Sequence, residues 1–469
     1  MRIVFVAPEV YPFAKTGGLA DVCGTLSLEL ERLGHDVAII IPGYRCVNGS
    51  KPFNDRARIS SVGKNVKVYF LRNQKFFDRP NIYGDVHGDY PDNLERFMFL
   101  CHESLALMKD LGVPVDIIHC HDWQTSLIPV ILRENYRTDP FFQKTRTVVT
   151  VHNFGYQGVF PREDFPKLGV DEGLFNPRVL EFYGKINLLK SGLVYADRIT
   201  TVSPQYAREI QTKEWGHGLE GVVKENKSRV EGILNGLNYD YWDPQTDVLI
   251  SPRYSQKDVH AAKIVHKEKL QNICHLPVFD DIPVFGFVGR LCYQKGLDLL
   301  ESTFDGLMQR PIQVAFVGVG EEKYQKLLSK FAKKYPQQCG VMLRYDENLA
   351  HMVYAGADFF LMPSVYEPCG LAQMISMRYG AIPIVNGVGG LMDTVTDFSS
   401  NKIKGNGFVM PDYSVSSFLE TVDRALGVFH QKKKFQDLVT HAMGCRWTWA
   451  ASTQNYIDCY EQARHVKHG

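Results

Sequence analysis

The sequence lacks the features that mark nucleic-acid-binding or membrane-spanning proteins. Its 53 basic and 52 acidic side chains nearly cancel, so no excess positive charge favours a nucleic acid partner. No run approaches the roughly 20 apolar residues that a membrane-spanning helix needs. The apolar segment at residues 3–7 is too short for a signal peptide. We therefore expect a cytoplasmic protein with no nucleic acid partner and no membrane association.

The ten cysteines show no paired C-x-x-C spacing of the kind that holds structural zinc. In a chain that is not exported the thiols stay reduced, and we interpret these residues as small apolar core residues. Three adjacent lysines at 432–434 form one short basic run. We interpret this run as a solvated helix end, with a local basic patch as the alternative.

What the sequence contains is an alternation of short apolar strands with helices. Its 469 residues exceed the size at which a single core stops growing, about 250–300 residues, so two domains are expected. Near-continuous apolar strands separated by helices predict parallel sheets covered on both faces. The predicted strands are 3–6, 37–41, 66–71, 116–119, 147–151 and 198–202 in the first half, then 284–288, 314–317, 341–344, 359–362 and 382–385.

These patterns predict an α/β protein with two Rossmann-like, doubly wound domains. The first domain is expected at residues 1–240 and the second at 251–446, with a hinge within 235–251. Helices at 415–428 and 450–463 fill the C-terminal end. Ligands of open α/β sheets bind beyond the carboxyl ends of the strands, so the site residues are sought there.

Lys15, Gly17 and Gly18 follow the first predicted strand and precede a helix. Backbone N–H groups at a helix start and an adjacent ammonium group suit an anion such as phosphate. An ordinary tight turn with an exposed lysine is the alternative, and the spacing is not that of a G-x-G-x-x-G loop.

Arg290 and Lys295 follow the strand predicted at 284–288. Two cations at a strand end suit a diphosphate leaving group, because negative charge grows on the diphosphate as its bond to the transferred group breaks. The alternative is that both are ordinary exposed basic residues on a loop. Glu367 lies in a proline- and glycine-rich turn before a helix. A carboxylate there suits sugar hydroxyls or a positively charged transition state, and a favourable helix-start charge is the alternative.

His119 and His121 occupy alternate positions of one predicted strand and therefore share a face. Two metal ligands also show this spacing, but the sequence implies no third ligand, so we favour core or cleft histidines. His152 and Asn153 end another predicted strand and are candidates for contact with a sugar.

Together these motifs resemble those of the bacterial glycogen synthase and plant starch synthase family of retaining glycosyltransferases. The similar segments follow one another in order over essentially the whole chain. They are residues 15–21, 90–93 with 96–97, 121–123, 151–153, 233–236, 289–291, 294–298, 367–371 and 388–391.

The resemblance implies a GT-B architecture, in which two Rossmann-like domains face each other across a deep cleft and residues 447–469 pack back on the first domain. It implies transfer of glucose with retention from ADP-glucose, or alternatively UDP-glucose. The acceptor would be the 4-hydroxyl at the non-reducing end of an α-1,4-glucan such as glycogen. No metal and no other cofactor is implied.

The resemblance also assigns roles to individual positions. The catalytic residues would be Glu367, Arg290, Lys295, His152 and Asp21. The donor and its nucleotide would be bound by Arg290 and Lys295 together with Lys15, Gly17, Gly18, Tyr345, Cys369, Gly370 and Leu371. Glucose and the acceptor would contact Asp21, Asp122, His152, Asn153 and Asn235.

Three positions depart from the family pattern. Val365, Ala372 and Val388 stand where polar residues are common, and these departures bear on which nucleotide the donor carries. The alternatives are another retaining GT-B sugar transferase, a sugar-nucleotide 2-epimerase with the same layout, and a non-catalytic glucan-binding protein. The joint presence of the three site cations and Glu367 favours the enzyme.

Overall fold

The computed structural model describes residues 1–85, 88–344, 346–398 and 405–466. The chain divides into two compact units, one formed by Met1–Gly236 with Trp449–Gly469 and the other by Leu237–Thr448. The boundary between the first unit and the second lies after Gly236, a few residues before the predicted boundary at 240. Its cause is local, because Leu237 N–H donates to the Trp447 carbonyl and Trp447 N–H donates to the Tyr239 hydroxyl.

Residues predicted as a hinge are packed into the second unit. The Asp247 carboxylate accepts a hydrogen bond from the Tyr379 hydroxyl at 2.6 Å and lies 2.7 Å from His351 Nδ1. The Trp242 ring stacks on His351, and the buried Tyr254 hydroxyl donates to the Tyr379 carbonyl. This polar, proline-containing segment therefore covers part of the second unit and is held there by side-chain contacts.

In the first unit, strands that alternate with helices are interrupted by short antiparallel insertions at β3–β4, β6–β7 and β10–β12. The strands are β1 (Arg2–Val6), β2 (Asp36–Pro42), β3 (Lys51–Pro52), β4 (Ala57–Val62), β5 (Val66–Leu71), β6 (Gly84–Asp85), β7 (Gly88–Asp89), β8 (Ile117–His121), β9 (Arg146–Val151), β10 (Val159–Phe160), β11 (Glu181–Phe182), β12 (Lys185–Asn187), β13 (Arg198–Thr201) and β14 (Val230–Gly232). The helices are α1 (Gly18–Arg32), α2 (Gln74–Phe77), α3 (Asn93–Leu111), α4 (Ile128–Glu134), α5 (Leu188–Tyr195), α6 (Pro204–Glu209) and α7 (Glu220–Glu225).

The main sheet of the first unit has the order β14-β13-β9-β8-β1-β2-β5-β4-β3. From β14 to β5 in this order, neighbouring strands pair in parallel. Beyond β5, strands β4 and β3 extend the sheet in antiparallel fashion. The direction of winding reverses between β1 and β8. Such a switch point leaves a crevice at the carboxyl ends of the two strands, where doubly wound folds bind ligands.

The second unit repeats this plan with parallel strands. Its strands are β15 (Val284–Val288), β16 (Gln313–Val317), β17 (Cys339–Met342), β18 (Phe359–Met362), β19 (Ile382–Asn386) and β20 (Phe408–Met410). Its helices are α8 (Val259–Ile273), α9 (Leu297–Leu307), α10 (Glu322–Lys334), α11 (Glu347–Gly356), α12 (Ala372–Arg378), α13 (Gly389–Thr394), α14 (Val415–Phe429) and α15 (Lys432–Gly444). The order β17-β16-β15-β18-β19-β20 places the switch point between β15 and β18.

The last helix, α16 (Trp449–Arg464), belongs to the first unit, where it packs against α1, β9 and β13. Its buried face includes Trp449, Tyr456 and Tyr460, which join the core formed by β1, β2 and α1. This burial of aromatic surface explains why the chain returns to the first unit after the second is complete. In the described residues, no helix is long and apolar enough to cross a membrane.

The predicted α/β fold is confirmed, and the strands differ in two ways: one is displaced, and others were not predicted. The strand predicted at 341–344 lies at Cys339–Met342. Gly340 belongs to this strand because its backbone packs closely against Cys274, but glycine is not a residue that indicates a strand.

The strands without a prediction are β3, β4, β6, β7, β10, β11, β12, β14 and β20. The antiparallel strand β4 was missed. It pairs with β5 in antiparallel fashion, and its Arg58, Ser60 and Ser61 interrupt the apolar residues, so it lacks the continuous apolar run of a buried parallel strand.

Arg96 is fully buried in the first unit and its guanidinium is held by three acceptors. It donates to the carbonyls of Phe76 and Ile82 and to Asn93 Oδ1 at 2.6 to 2.9 Å. The same guanidinium lies over the Tyr90 ring, 5.0 Å from its centroid. Burial lowers the pKa of Arg96, so these hydrogen bonds are what hold a cation in the core.

We therefore expect Arg96→Met to lower the free energy of unfolding by about 3 kcal/mol or more, because three buried acceptors lose their donor. Urea denaturation followed by circular dichroism measures the loss. Arg32→Met is the matched control, since Arg32 is an exposed arginine paired with Glu29. That control should change stability by about 0.5 kcal/mol or less. Equal losses in the two variants would contradict this account of Arg96.

Candidate active site

The loop between β1 and α1 is held by a buried carboxylate. Glu9 is 3% exposed and accepts hydrogen bonds from the Thr16 backbone N–H, from Thr16 Oγ1 at 2.7 Å and from the Tyr83 hydroxyl at 2.5 Å. These contacts fix the position of the loop that carries Lys15. Sequence reasoning missed Glu9, although its place just after a strand end was a usable signal.

Lys15, Gly17, Gly18 and Asp21 lie together at the start of α1. Lys15 Nζ lies 2.8 Å from Asp21 Oδ1, and both side chains are about one third exposed. Gly17 precedes the helix in an extended conformation, and no described side chain caps that end. The first helical N–H groups are thus available to an anion next to an ammonium group.

Asp122 follows β8 at the switch point and has a backbone φ of 56°, which is unusual for a residue other than glycine. Its Oδ1 accepts the His152 backbone N–H at 2.6 Å. Burial raises the pKa of Asp122 to about 7, while hydrogen bonds from the backbone of His152 and Asn153 oppose this rise. The carboxylate therefore ties the end of β8 to the end of β9.

Three histidines surround this position. His121 Nδ1 lies 3.0 Å from His152 Nε2, and the rings of His119 and His121 are 4.2 Å apart. Burial lowers the pKa of His119 and of His152 to about 3, and it lowers the pKa of His121 well below its ordinary value. All three imidazoles are therefore neutral at pH 7. The shared face predicted for His119 and His121 is the one the structure shows.

A cavity of about 410 Å³ in the first unit is lined by Trp123, the residue after Asp122. Its walls combine aromatic rings with amide and carboxylate groups, a composition that suits the apolar faces and hydroxyl edges of a sugar. The lining residues are Asp89, Tyr90, Asn93, Trp123, Gly155, Tyr156, Gln157, Gly158, Val159, Phe160 and His217. Sequence reasoning identified Tyr90 and Trp123 within family motifs but missed Tyr156, Phe160 and His217.

Asn153 and Asn235 differ in their surroundings. Asn153 is partly buried, and its Oδ1 accepts the Gly155 backbone N–H at 2.9 Å. Asn235 follows β14 and is 5% exposed, and its buried Oδ1 has no hydrogen-bond partner among the described residues. A buried amide oxygen without a donor is costly, so Asn235 is suited to a ligand hydroxyl.

In the second unit, the ends of β15 and β18 meet at the switch point. Lys295 Nζ lies 2.6 Å from Glu367 Oε2, and the Ser364 hydroxyl donates to the same oxygen at 2.9 Å. The Glu367 side chain is 7% exposed and that of Lys295 is 24% exposed. Asn386, at the end of β19, donates to the Ser364 carbonyl. The structure thus joins two predicted site residues and adds Ser364 and Asn386, which sequence reasoning missed.

Two glycines allow the loops around this pair to approach closely. Gly296 has φ 75°, and a Cβ there would lie 1.8 Å from the Pro363 carbonyl oxygen. Gly389 has φ 45°, and a Cβ there would lie 2.0 Å from the Glu367 carbonyl oxygen. Only glycine combines this backbone conformation with such contacts. The Lys295 and Glu367 loops are therefore pressed together by main-chain packing.

The remaining predicted donor residues occupy neighbouring loops. Arg290 is exposed just beyond β15, and Cys369, Gly370 and Leu371 form the turn that enters α12. Cys369 is buried, whereas the other two turn residues are partly exposed. Tyr345, the predicted partner of the nucleotide base, lies outside the described residues.

Two family models match the chain. The model described as starch synthase catalytic domain matches residues 2–225, and the model described as glycosyl transferases group 1 matches residues 273–436. A protein named glycogen synthase from Syntrophotalea carbinolica is 42% identical, and the match covers 100% of both chains. Another of that name from Geotalea uraniireducens is 44% identical over 99% of both chains.

Solved structures agree with these matches. The catalytic domain of starch synthase IV from Arabidopsis thaliana, bound to ADP and acarbose, has a TM-score of 0.89 and 30% identity over 99% of both chains. Sucrose-phosphate synthase from Thermosynechococcus elongatus has a TM-score of 0.63 at 18% identity, a likeness of fold alone. The chain therefore belongs to the family of bacterial glycogen synthases and plant starch synthases, which are glycosyltransferases of GT-B architecture.

Proposed function

We propose that this protein transfers glucose, with retention, from ADP-glucose to the 4-hydroxyl at the non-reducing end of an α-1,4-glucan. The observation that carries the proposal is the Lys295–Glu367 pair at the switch point of the second sheet. Relatives named glycogen synthase match the whole chain, and the starch synthase structure is bound to ADP and acarbose. These matches support an adenine nucleotide in the donor and an α-glucan as the acceptor.

Charge is the main contribution of the second unit. As the bond between C1 of glucose and the diphosphate oxygen breaks, negative charge grows on the phosphate, and Arg290 and Lys295 stabilise it. Glu367 faces the developing positive charge on the sugar ring or accepts a hydrogen bond from its hydroxyls. The Gly370 and Leu371 amides bind a phosphate oxygen at the entry to α12.

The first unit contributes hydrogen bonds. Lys15 and the amides of the Gly17–Gly18 turn are suited to a phosphate group. Asp21, Asp122, His152 and Asn235 offer polar groups to sugar hydroxyls. The acceptor glucan binds in the aromatic cavity, where the rings of Tyr90 and Trp123 pack against the C–H faces of glucose units.

Retention follows from the face of C1 that the acceptor attacks. The acceptor O4 attacks C1 on the face that the diphosphate leaves, a new C1–O4 bond forms, and the departing phosphate oxygen takes the O4 proton. Glu367 is held by Lys295 and Ser364, so it is an electrostatic partner of the sugar and not its covalent nucleophile. We also propose a cytoplasmic location, since seven of the ten cysteines are buried thiols that a reducing compartment preserves.

The direct test is incorporation of labelled glucose into glycogen from ADP-glucose and from UDP-glucose at matched concentrations. Faster incorporation from ADP-glucose is the expected result. Faster incorporation from UDP-glucose would show that UDP-glucose is the preferred donor. It would indicate that Val365, Ala372 and Val388 alter the nucleotide preference. Glycogen binding without incorporation from either donor would favour a non-catalytic glucan-binding protein and overturn the proposal.

Glu367→Gln should lower kcat by at least about 100-fold, because it removes the charge that faces the reacting sugar while keeping the side-chain shape. Steady-state incorporation assays measure the effect. Glu301→Gln, an exposed carboxylate on α9, is the control and should keep the parental rate. Near-parental activity of the Glu367 variant would reject its catalytic role.

The raised pKa of Asp122 predicts a pH dependence. Because the pKa is about 7, lowering the pH from about 8 to about 6 protonates the carboxylate that accepts a sugar hydroxyl. We expect kcat/KM for the glucan to fall about tenfold over this range. In Asp122→Asn, which cannot ionise, activity should be low and this limb of the profile should disappear. Persistence of the same limb in the variant would assign it to another group.

A further inference from the structure

A run of buried side chains connects the last helix to His152. The Tyr460 hydroxyl on α16 lies 2.8 Å from His119 Nδ1, and His119 Nε2 lies 2.6 Å from Thr150 Oγ1. The His119 ring lies against the His121 ring, and His121 Nδ1 contacts His152 Nε2 at 3.0 Å. His119 and His121 are fully buried, whereas His152 is partly exposed. The run therefore ends at a surface that a substrate can reach.

Hydrogen-bond accounting fixes the proton on His119. Among the described residues, the nitrogen of His119 is the acceptor available to the buried Tyr460 hydroxyl, so this hydroxyl donates to Nδ1. A neutral imidazole that accepts at Nδ1 carries its proton on Nε2. His119 Nε2–H then donates to Thr150 Oγ1, whose own hydroxyl lies 2.5 Å from Thr200 Oγ1. Both hydrogen bonds of the His119 ring thus have an assigned direction.

The same accounting applies to His121. Its Nε2 is buried and has no hydrogen-bond partner in the described part of the chain. A buried N–H without an acceptor is rarer than a buried acceptor without a donor, so Nε2 carries no proton. His121 Nδ1–H then donates to His152 Nε2, and the proton of the neutral His152 ring is left on Nδ1. His152 is thereby a hydrogen-bond donor and not a base.

We infer that Tyr460, His119 and His121 are positioning residues that hold His152 in the tautomer with Nδ1–H, which donates a hydrogen bond to a sugar oxygen during glucose transfer. The inference rests on the proposed function but goes beyond it, since it assigns a reaction-related role to the last helix. Tyr460 fixes the His119 ring, His119 packs against His121, and His121 orients His152. The ligand group is a hydroxyl or ether oxygen of a hexose, which accepts this hydrogen bond.

The main test compares two substitutions of His121. The amide nitrogen of His121→Asn can occupy the place of Nδ1 and donate to His152, whereas His121→Leu has similar bulk and no donor. We expect the Asn variant to keep kcat within about threefold and the Leu variant to lose about 10- to 100-fold in kcat. The KM for the nucleotide donor should stay unchanged in both. Equal kcat values for the two variants would overturn the inference.

Tyr460→Phe tests the link to the last helix. It removes the hydroxyl that sets the His119 tautomer, and we expect kcat to fall about tenfold with little change in KM. Tyr44→Phe is the matched control, since it removes another buried hydroxyl of the first unit that lies outside the run. Melting curves establish that both variants are folded. A parental kcat in Tyr460→Phe, or an equal loss in the control, would contradict the role of Tyr460.

A measurement on the parental protein reads the tautomer directly and needs a variant only to assign the signal. Nitrogen-15 NMR of histidine-labelled protein, assigned with His152→Gln, reports which ring nitrogen of His152 carries the proton. Protonation at Nδ1 is expected, and protonation at Nε2 would overturn the inference. Glucose incorporation by the parental protein keeps the two questions separate. If the protein incorporates glucose but His152 carries its proton on Nε2, the positioning role is contradicted and the proposed function stands.

Discussion

The site in the second unit depends on one interaction, the ion pair between Lys295 and Glu367. A carboxylate that is 7% exposed has lost most of its hydration, and the ammonium group at 2.6 Å together with the Ser364 hydroxyl replaces it. The pair lies between the loops after β15 and β18, which are neighbours in the sheet. Close main-chain packing at Gly296 and Gly389 keeps these loops in place. Removing either partner would leave an isolated charge in a nearly dry setting, and such a charge would displace the loops that present it.

Beyond β8 and β9, the first unit reaches a fixed site geometry with little charge, although the start of α1 carries the Lys15–Asp21 ion pair. Its three histidines are neutral because burial lowers the pKa of each, and burial moves the pKa of Asp122 in the opposite direction, to about 7. Both shifts have one cause, since a low-dielectric environment disfavours the charged form of any group. Neutral donors and acceptors suit recognition of sugar hydroxyls, whereas Lys15 and the cations of the second unit suit a phosphate. The two sheets share a winding order, and the chemistry at their switch points differs.

The last helix illustrates how a segment far along the chain can affect the site. Residues of α16 belong to the first unit, and Tyr460 reaches His119 across 341 positions of sequence. The aromatic face of this helix fills the core beside β1, which accounts for its packing in hydrophobic terms. The hydroxyl of Tyr460 adds a directional contact that burial alone does not require. One helix thus stabilises the core and, by our inference, sets the orientation of His152.

By itself the sequence determined the fold class, most strands and the loops that carry Lys15, Arg290 and Glu367, because apolar runs and the glycines after them are local signals of buried parallel strands. It missed β4 and several short strands, such as β14 and β20 at sheet edges, because they lack a long continuous apolar run, and it displaced β17, where Gly340 weakens the signal. Only the tertiary structure decided that Lys295 meets Glu367, 72 residues away, and that Glu9, Ser364 and Tyr460 support site residues. Such partners are set by which strands become neighbours in a sheet, and no local pattern of side chains records that choice.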